Sequence, residues 1–302
     1  MYNGIINIYK EKGYTSHDVV AKLRGILKQK RIGHTGTLDP QAEGVLPVCL
    51  GNATKLCELL TDKKKEYVAQ LLLGVSTDTQ DMTGDIVCRK PVEAGEEEVK
   101  RAVFSFAGEY NQIPPMYSAI RVGGRRLYEL AREGKKIERT ARPVRIHSID
   151  VLSVTLPRVS FKVECSKGTY IRTLCHDIGE ALGCGGCMET LVRTRSGAFR
   201  IEEALTLDQI EEMQKRGMLR DSILSVEEAL SEYPLCAVKE EADRLIYNGN
   251  PFSGKDAGEP GALPEDSPVR VCDSGGRFVG LYAYRADRQA FYPLKMFLEP
   301  ES

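Results

Sequence analysis

The chain has 302 residues, 42% of them hydrophobic and 28% charged, with 42 Lys and Arg against 43 Asp and Glu. That composition excludes a disordered or collagen-like chain and a small disulfide-stapled scaffold, and the length favours one large and one small domain. The near-zero net charge hides a segregation: residues 1–65 carry 11 bases and 6 acids, residues 121–145 carry 9 and 3, and residues 202–241 carry 4 and 11.

In chain order, residues 1–16 lack a basic leader ahead of an apolar core, so no secretory signal is expected. Thr15 and Ser16 stand before Val19, Val20, Leu23 and Leu27, a helical spacing behind an N-cap. Lys28, Lys30 and Arg31 follow at the end where the helix dipole favours cations. Residues 32–45 hold three Gly and one Pro and read as a structured loop rather than a helix or strand. A buried strand is expected over 67–75 and a short amphipathic helix over 99–106. Residues 112–145 open on Pro114-Pro115, pass Gly123-Gly124, and make one short helix with Leu127, Leu130 and Ala131 on one side, ending at Gly134. Such a basic, Gly-punctuated insertion suits a mobile arm.

Further on, Val159, Phe161, Val163 and Cys165 alternate with Ser160, Lys162 and Glu164, the pattern of a half-buried strand. A helix is expected over 174–182, closed by Gly183, and two acidic helices over 202–230. Beyond residue 233, short strand candidates (269–272, 278–284, 294–298) alternate with the Gly/Pro-rich stretch 249–268, which points to a small β-rich appendage. No run of about 18 apolar residues predicts a membrane helix. The nine cysteines, odd in number and scattered, fit a reducing cytoplasm.

The most information-dense segment is Gly33-His34-Thr35-Gly36-Thr37-Leu38-Asp39-Pro40, continuing to Gly44. Asp39 is the carboxylate of its rigid part, and Pro40 biases it toward extended backbone. A fixed loop presenting one carboxylate suits a nucleophile or general base, although an arbitrary Asp-Pro more often only caps a turn. A competing constellation is Cys184-Gly-Gly-Cys187 with Cys175-His176 upstream, which invites a zinc reading. Cys175 and His176 fall within a helix and point different ways, and no second CxxC follows, so no metal is expected.

These motifs, in this order, resemble the bacterial TruB-type tRNA pseudouridine synthases. Gly33–Gly44 with Val45-Leu46-Pro47 resembles the family's active-site signature. Gly13-Tyr14-Thr15-Ser16-His17-Asp18, Lys65-Glu66-Tyr67, and Pro114-Pro115-Met116-Tyr117-Ser118-Ala119 with the arm through Arg142-Pro143-Val144 match further motifs. Lys167-Gly168-Thr169-Tyr170-Ile171-Arg172 and Leu191-Val192-Arg193-Thr194-Arg195-Ser196-Gly197 complete the set. The chain departs from the family at Glu11, commonly Pro, and at Cys187, usually His. The likeness spans roughly residues 4–230, and the tail resembles a PUA-like RNA-binding module.

The resemblance implies an α+β fold with a mixed, largely antiparallel sheet: a catalytic domain over 1–232, with a thumb-like insertion at about 112–145, and a PUA-like β domain over 233–302. It implies isomerisation of the uridine at position 55, in the tRNA T-loop, to pseudouridine. Asp39 would be the catalytic aspartate and Arg172 its partner. Tyr67 would stack on the flipped base and be a candidate for proton transfer. Tyr170 and Leu191 would line the pocket, and His34 would fill or stack against the gap left by the extracted nucleotide. Arg125, Arg126 and Arg132 of the arm are candidates for gripping phosphates.

The chemistry agrees with that set. The reaction breaks an N-glycosidic bond and rejoins the ring through carbon without net redox change, so no cofactor is expected, and neither GxGxxG nor GxxxxGK[ST] occurs. A buried carboxylate must be ionised to act, and an arginine supplies the nearby cation without losing its own proton. At a helix N-terminus that arginine opposes the dipole and so calls for an anionic partner. The expected protein is a cytoplasmic monomer acting on tRNA without a membrane or obligate protein partner. A tRNA-binding or folding factor without catalysis is the alternative, and the intact Asp39, Tyr67 and Arg172 set argues against it.

Overall fold

Strict alternation in Lys65–Leu73, KEYVAQLLL, buries every second side chain, and the neighbouring Arg158–Cys165 repeats the pattern. In the computed structural model, which describes residues 1–135, 137–258 and 266–298, these two strands sit inside a ten-stranded sheet. Its main path runs Ile223–Leu224, Gly4–Lys10, Glu43–Leu50, Gly186–Ser196, Lys65–Leu73, Arg158–Cys165, Arg142–Thr155, Gly108–Gln112. Neighbours pair antiparallel except at one junction, where Glu43–Leu50 and Gly186–Ser196 run parallel with Val192 opposite Glu43 and Arg193 opposite Gly44. The sheet is therefore mixed and largely antiparallel, as the resemblance implies.

Two of the core clusters lie on either side of that junction. Helices Ser16–Leu27 and Leu207–Lys215 bury Val19, Leu23 and Ile210 against Ile6, Ile8, Leu46 and Val48. Helices Glu96–Phe104 and Ile171–Ala181 bury Val99, Val103, Leu174 and Ile178 against Leu71, Phe161 and Val163. Thr15 caps the first helix with a reciprocal capping box to Asp18. Helix Ile171–Ala181 lies unusually close to its strand, since a Cβ on Gly179 would sit 2.2 Å from the Gly186 nitrogen.

Several predicted boundaries move. Only residues 35–42 lie outside strands in the Gly-rich segment. Ile32–His34 pairs with Glu43–Leu50, Gly33 opposite Cys49, so the turn-forming glycine sits inside a ladder. The helix expected from 174 begins at Ile171, because Arg172 and Thr173 are themselves buried and so break the apolar pattern that marks a helix start. The acidic stretch forms Leu207–Lys215 and a four-residue helix, Val226–Ala229.

The tail builds its own five-stranded sheet in the order Leu235–Ala237, Pro268–Cys272, Phe278–Arg285, Ala290–Met296, Phe252–Ser253. The helix Glu240–Tyr247, which the sequence pattern did not announce, buries Ala242 and Ile246 against it. Part of the Gly/Pro-rich stretch, residues 259–265, lies outside the described residues. The last strand begins earlier than expected and ends at Met296, which releases Phe297 to pack with Leu281 against Ile5, Val45 and Leu56 of the main body. Among the described residues no helix is long and apolar enough to cross a membrane.

Candidate active site

The loop carrying Asp39 starts and ends in one half of the sheet while its middle plugs into the other half's core. Thr35 donates its backbone N–H and hydroxyl to the Pro47 carbonyl at 3.1 and 3.2 Å. Leu38 and Ala42 are buried among the side chains of the second cluster. Between them Ser16, 2% exposed, binds both polar groups of Leu38, accepting from its N–H at 2.9 Å and donating to its carbonyl at 3.4 Å. The Pro40 carbonyl accepts from the Gly13 N–H at 2.8 Å and from Lys10 Nζ at 3.2 Å. Gly44 closes the loop at φ +106°, where a Cβ would meet the Arg193 carbonyl oxygen at 2.2 Å, so only glycine fits. Asp39 is thus fixed by backbone anchors on both sides.

Arg172, one residue inside its helix, reaches the loop from the opposite half. Its Nε lies 3.0 Å from Asp39 Oδ2 and its Nη2 3.4 Å from Asp39 Oδ1. The other side of the guanidinium binds Asp81 Oδ2 at 3.3 Å through Nη1, and Nη2 also donates to the Tyr117 carbonyl at 3.0 Å. Arg172, which opposes the helix dipole, thus has two carboxylate partners, Asp39 and Asp81. Asp81 is held in turn by Thr79 Oγ1 at 2.8 Å and the Thr83 N–H at 2.9 Å, both on its other oxygen.

Sharing Arg172 has an electrostatic consequence. Burial pushes the Asp39 carboxyl above its ordinary range, Arg172 and Lys10 pull it down, and the Asp81 charge pushes it up again. The net direction is upward, because burial and the Asp81 charge outweigh the pull of the two cations. Because the Asp39 side chain keeps 39% of its surface exposed while Arg172 keeps 7%, solvent tempers the shift, and the pair opens to solvent through its acid.

Three further candidates, two aromatic and one apolar, stand near this pair. Tyr67 is buried in Lys65–Leu73, opposite Arg193, and burial raises its phenol. Tyr170, half-buried, precedes the Arg172 helix; its backbone N–H and carbonyl are both bound by the buried Gln112 amide at 2.8 and 3.0 Å. Leu191 lies in the same cluster as Leu38 and Tyr67.

Residues 24–171 match the family model for the TruB family pseudouridylate synthase N-terminal domain, and residues 172–231 match the tRNA pseudouridylate synthase B C-terminal domain. A tRNA pseudouridine synthase B of Lachnoclostridium phytofermentans is 52% identical over 309 residues, covering 98% of this chain and 100% of that protein. The chain belongs to the TruB family of pseudouridine synthases. A TruB-family relative in Bacillus pumilus, again a tRNA pseudouridine synthase B, is 43% identical over 296 residues, covering 96% of this chain and 95% of its own length. Among solved structures, a Cbf5-Nop10-Gar1 complex superposes with a TM-score of 0.76 at 30% identity, spanning 98% of this chain and 85% of that one. An H/ACA RNP bound to a substrate RNA containing 2′-deoxyuridine gives 0.75 at 28%, with the same coverage. Membership makes the chain an RNA-modifying isomerase with a pseudouridine synthase fold.

The remaining candidates of this TruB-family chain lie on the short second strand and in the insertion. His34 is half-buried on the short strand Ile32–His34 with its Nδ1 unpartnered, and burial lowers its pKa. The insertion is anchored more firmly than a free arm, because Gly108–Gln112 and Arg142–Thr155 pair in the main sheet with Arg142 opposite Gln112. Outside that ladder, a two-residue hairpin (Arg121–Val122 with Arg125–Arg126) leads into the helix Leu127–Arg132. Arg125 is ion-paired to Glu133, and Arg126 and Arg132 lie over the Tyr128 ring at 5.7 and 5.5 Å. Arg125 and Arg126 are exposed and Arg132 sits at the end of its helix. Cys184 Sγ contacts the carbonyls of Gly179 and Gly185, while Cys187 Sγ faces the Met82 sulfur at 3.5 Å.

Four residues of the site escape a reading of the sequence: Asp81, Gln112, Lys10 and Arg193. Lys10 had a visible signal, since Ile6, Ile8 and Lys10 share one strand parity and the lysine is fully buried. Asp81 and Gln112 carry no local signal, because their partners lie 91 and 58 residues away.

Proposed function

We propose that this chain converts the uridine at position 55 in the T-loop of tRNA to pseudouridine. The Asp39–Arg172 pair at 3.0 Å, open through its carboxylate, carries the reading. The N1–C1′ bond breaks, the uracil turns while still bound, and a C5–C1′ bond replaces it. Asp39 is the group in covalent contact with the nucleotide during that exchange, and a carboxylate suits it because it can both add and leave. Arg172 keeps it ionised and oriented. The target base leaves its stack, and Tyr67 offers a surface that offsets about 1–3 kcal/mol of the unstacking. Tyr67 also removes the C5 proton once the new bond has formed. Tyr170 and Leu191 bound the pocket, and His34 occupies the space the base vacates.

Away from the pocket, Arg125, Arg126 and Arg132 bind backbone phosphates, which fixes register without reading sequence. Residues 1–232 act as the catalytic domain and residues 233–302 as a PUA-like RNA-binding domain. The chain works in the cytoplasm as a monomer, without a cofactor or a protein partner. The test is incubation with unmodified tRNA followed by mapping of the product. A single pseudouridine at position 55 supports the reading; modification elsewhere, or none, overturns it.

A further inference from the structure

Arg193 is 1% exposed and among the largest fully buried side chains, yet it pairs with no carboxylate among the described residues. Its Nε donates to the Val45 carbonyl at 2.6 Å, and its Nη1 lies 3.9 Å from where a Gly36 Cβ would stand. Its Nη2 is buried with no well-aligned acceptor. A buried cation in that state costs several kcal/mol unless an anion completes it. Its surroundings deepen the deficit. Lys10 and Lys65 are buried beside it, and their ammonium groups donate to carbonyls, those of Tyr14 and Pro40 for Lys10 and that of Lys63 for Lys65. Burial pushes both lysines down to about 8.

The group that faces Arg193 is Tyr67. The two residues are directly paired on adjacent strands, Arg193 opposite Tyr67, so their side chains leave the same face of the sheet. Around the phenol stand the Arg193 guanidinium from Gly186–Ser196, the Cys165 thiol from Arg158–Cys165 and the Asp39 carboxylate from the loop. Arg193 alone among these favours negative charge on the phenol oxygen; Cys165, Asp39 and burial oppose it.

We propose that Arg193 is a positioning residue for Tyr67, orienting its phenol oxygen toward the pocket and stabilising the negative charge on that oxygen while the uracil C5 proton is removed. The inference rests on the reading of Tyr67 given above. The protons balance as follows. Tyr67 first loses its phenolic proton to water, then takes the proton from C5 and is restored. The N1 freed by glycosidic cleavage takes one proton from water.

The test compares Arg193→Lys, which keeps a charge, with Arg193→Met, which does not. Single-turnover pseudouridine formation is followed against pH, and the Tyr67 phenol is titrated directly by 13C labelling of its ring. Removing the cation should raise the Tyr67 pKa, shift the alkaline rise of the rate to higher pH and slow the reaction at neutral pH about 10²-fold. Arg193→Lys should lie between, and 3-fluorotyrosine at position 67, a more acidic phenol, should recover part of the Arg193→Lys loss. A Tyr67 titration shifted in neither variant overturns the inference and leaves Arg193 a packing residue. If the titration moves but the rate profile does not follow, the proton-transfer reading of Tyr67 fails while the Arg193–Tyr67 pairing stands. Should Arg193→Met not fold, Arg193→Lys with the fluorinated tyrosine decides alone.

Discussion

Two arginine networks of similar composition do opposite things in this chain. In the cleft, Arg172 joins Asp39 and Asp81 with its own side chain 7% and Asp81's 12% exposed. In the insertion, Arg125 joins Glu133 with both side chains more than 40% exposed, and Lys135 shares the same carboxylate at 3.0 Å. A buried ion pair is fixed, because separating it strands a charge in low dielectric. An exposed one is exchangeable, since water replaces either partner at little cost. The first arrangement holds the Asp39 carboxylate in place; the second leaves exposed guanidinium groups that can exchange one anion for another.

The sharpest way to break this contrast is at Asp39. Asp39→Asn should lower pseudouridine formation about 10⁴-fold or more with tRNA affinity kept, measured by single turnover and filter binding. Near wild-type turnover would remove the carboxylate from the mechanism. Next in size, Arg172→Met leaves Asp81 buried without its cation and should cost about 3–5 kcal/mol of stability, read by urea unfolding. A destabilisation below about 1 kcal/mol would place this pair in the exchangeable class.

A subtler test concerns pH. Because the Asp39 pKa is raised, its proton persists to higher pH than on an ordinary carboxylate, and the active anion is lost as pH falls through that raised value. Product formation should therefore decline on the acid side above the usual carboxylate pKa of about 3.9. Asp81→Asn removes a like charge and leaves Arg172 to Asp39 alone, so the acid limb should move to lower pH; movement upward would contradict the shared-cation account.

The smallest effects belong to the insertion. Replacing Arg125, Arg126 and Arg132 with Ala should weaken tRNA binding and reduce the slope of log affinity against log salt by about 0.7–0.9 for each phosphate no longer neutralised, with the melting temperature unchanged. Glu133→Gln should do the reverse at low salt by freeing Arg125. Equal weakening from Glu133→Gln would mean the ion pair shapes the arm rather than competing with phosphate.

What the chain itself determines is mostly local. Alternation marks Arg158–Cys165, the Thr15 cap marks the first helix, and the Gly/Pro spacing of 33–40 marks a rigid loop with one carboxylate, because each depends on neighbours a few residues away. The ordered motifs add the family and the Asp39–Arg172 pairing. Tertiary structure decided the rest. That Arg172 is shared with Asp81, that Lys10 and Arg193 are buried as cations, and that the Gln112 amide holds Tyr170 depend on strands and loops 30 to 148 residues apart being brought together. Polar side chains placed in a core by sheet pairing look, in sequence, like any surface residue, since burial is a property of the assembled strands and not of the segment that carries them.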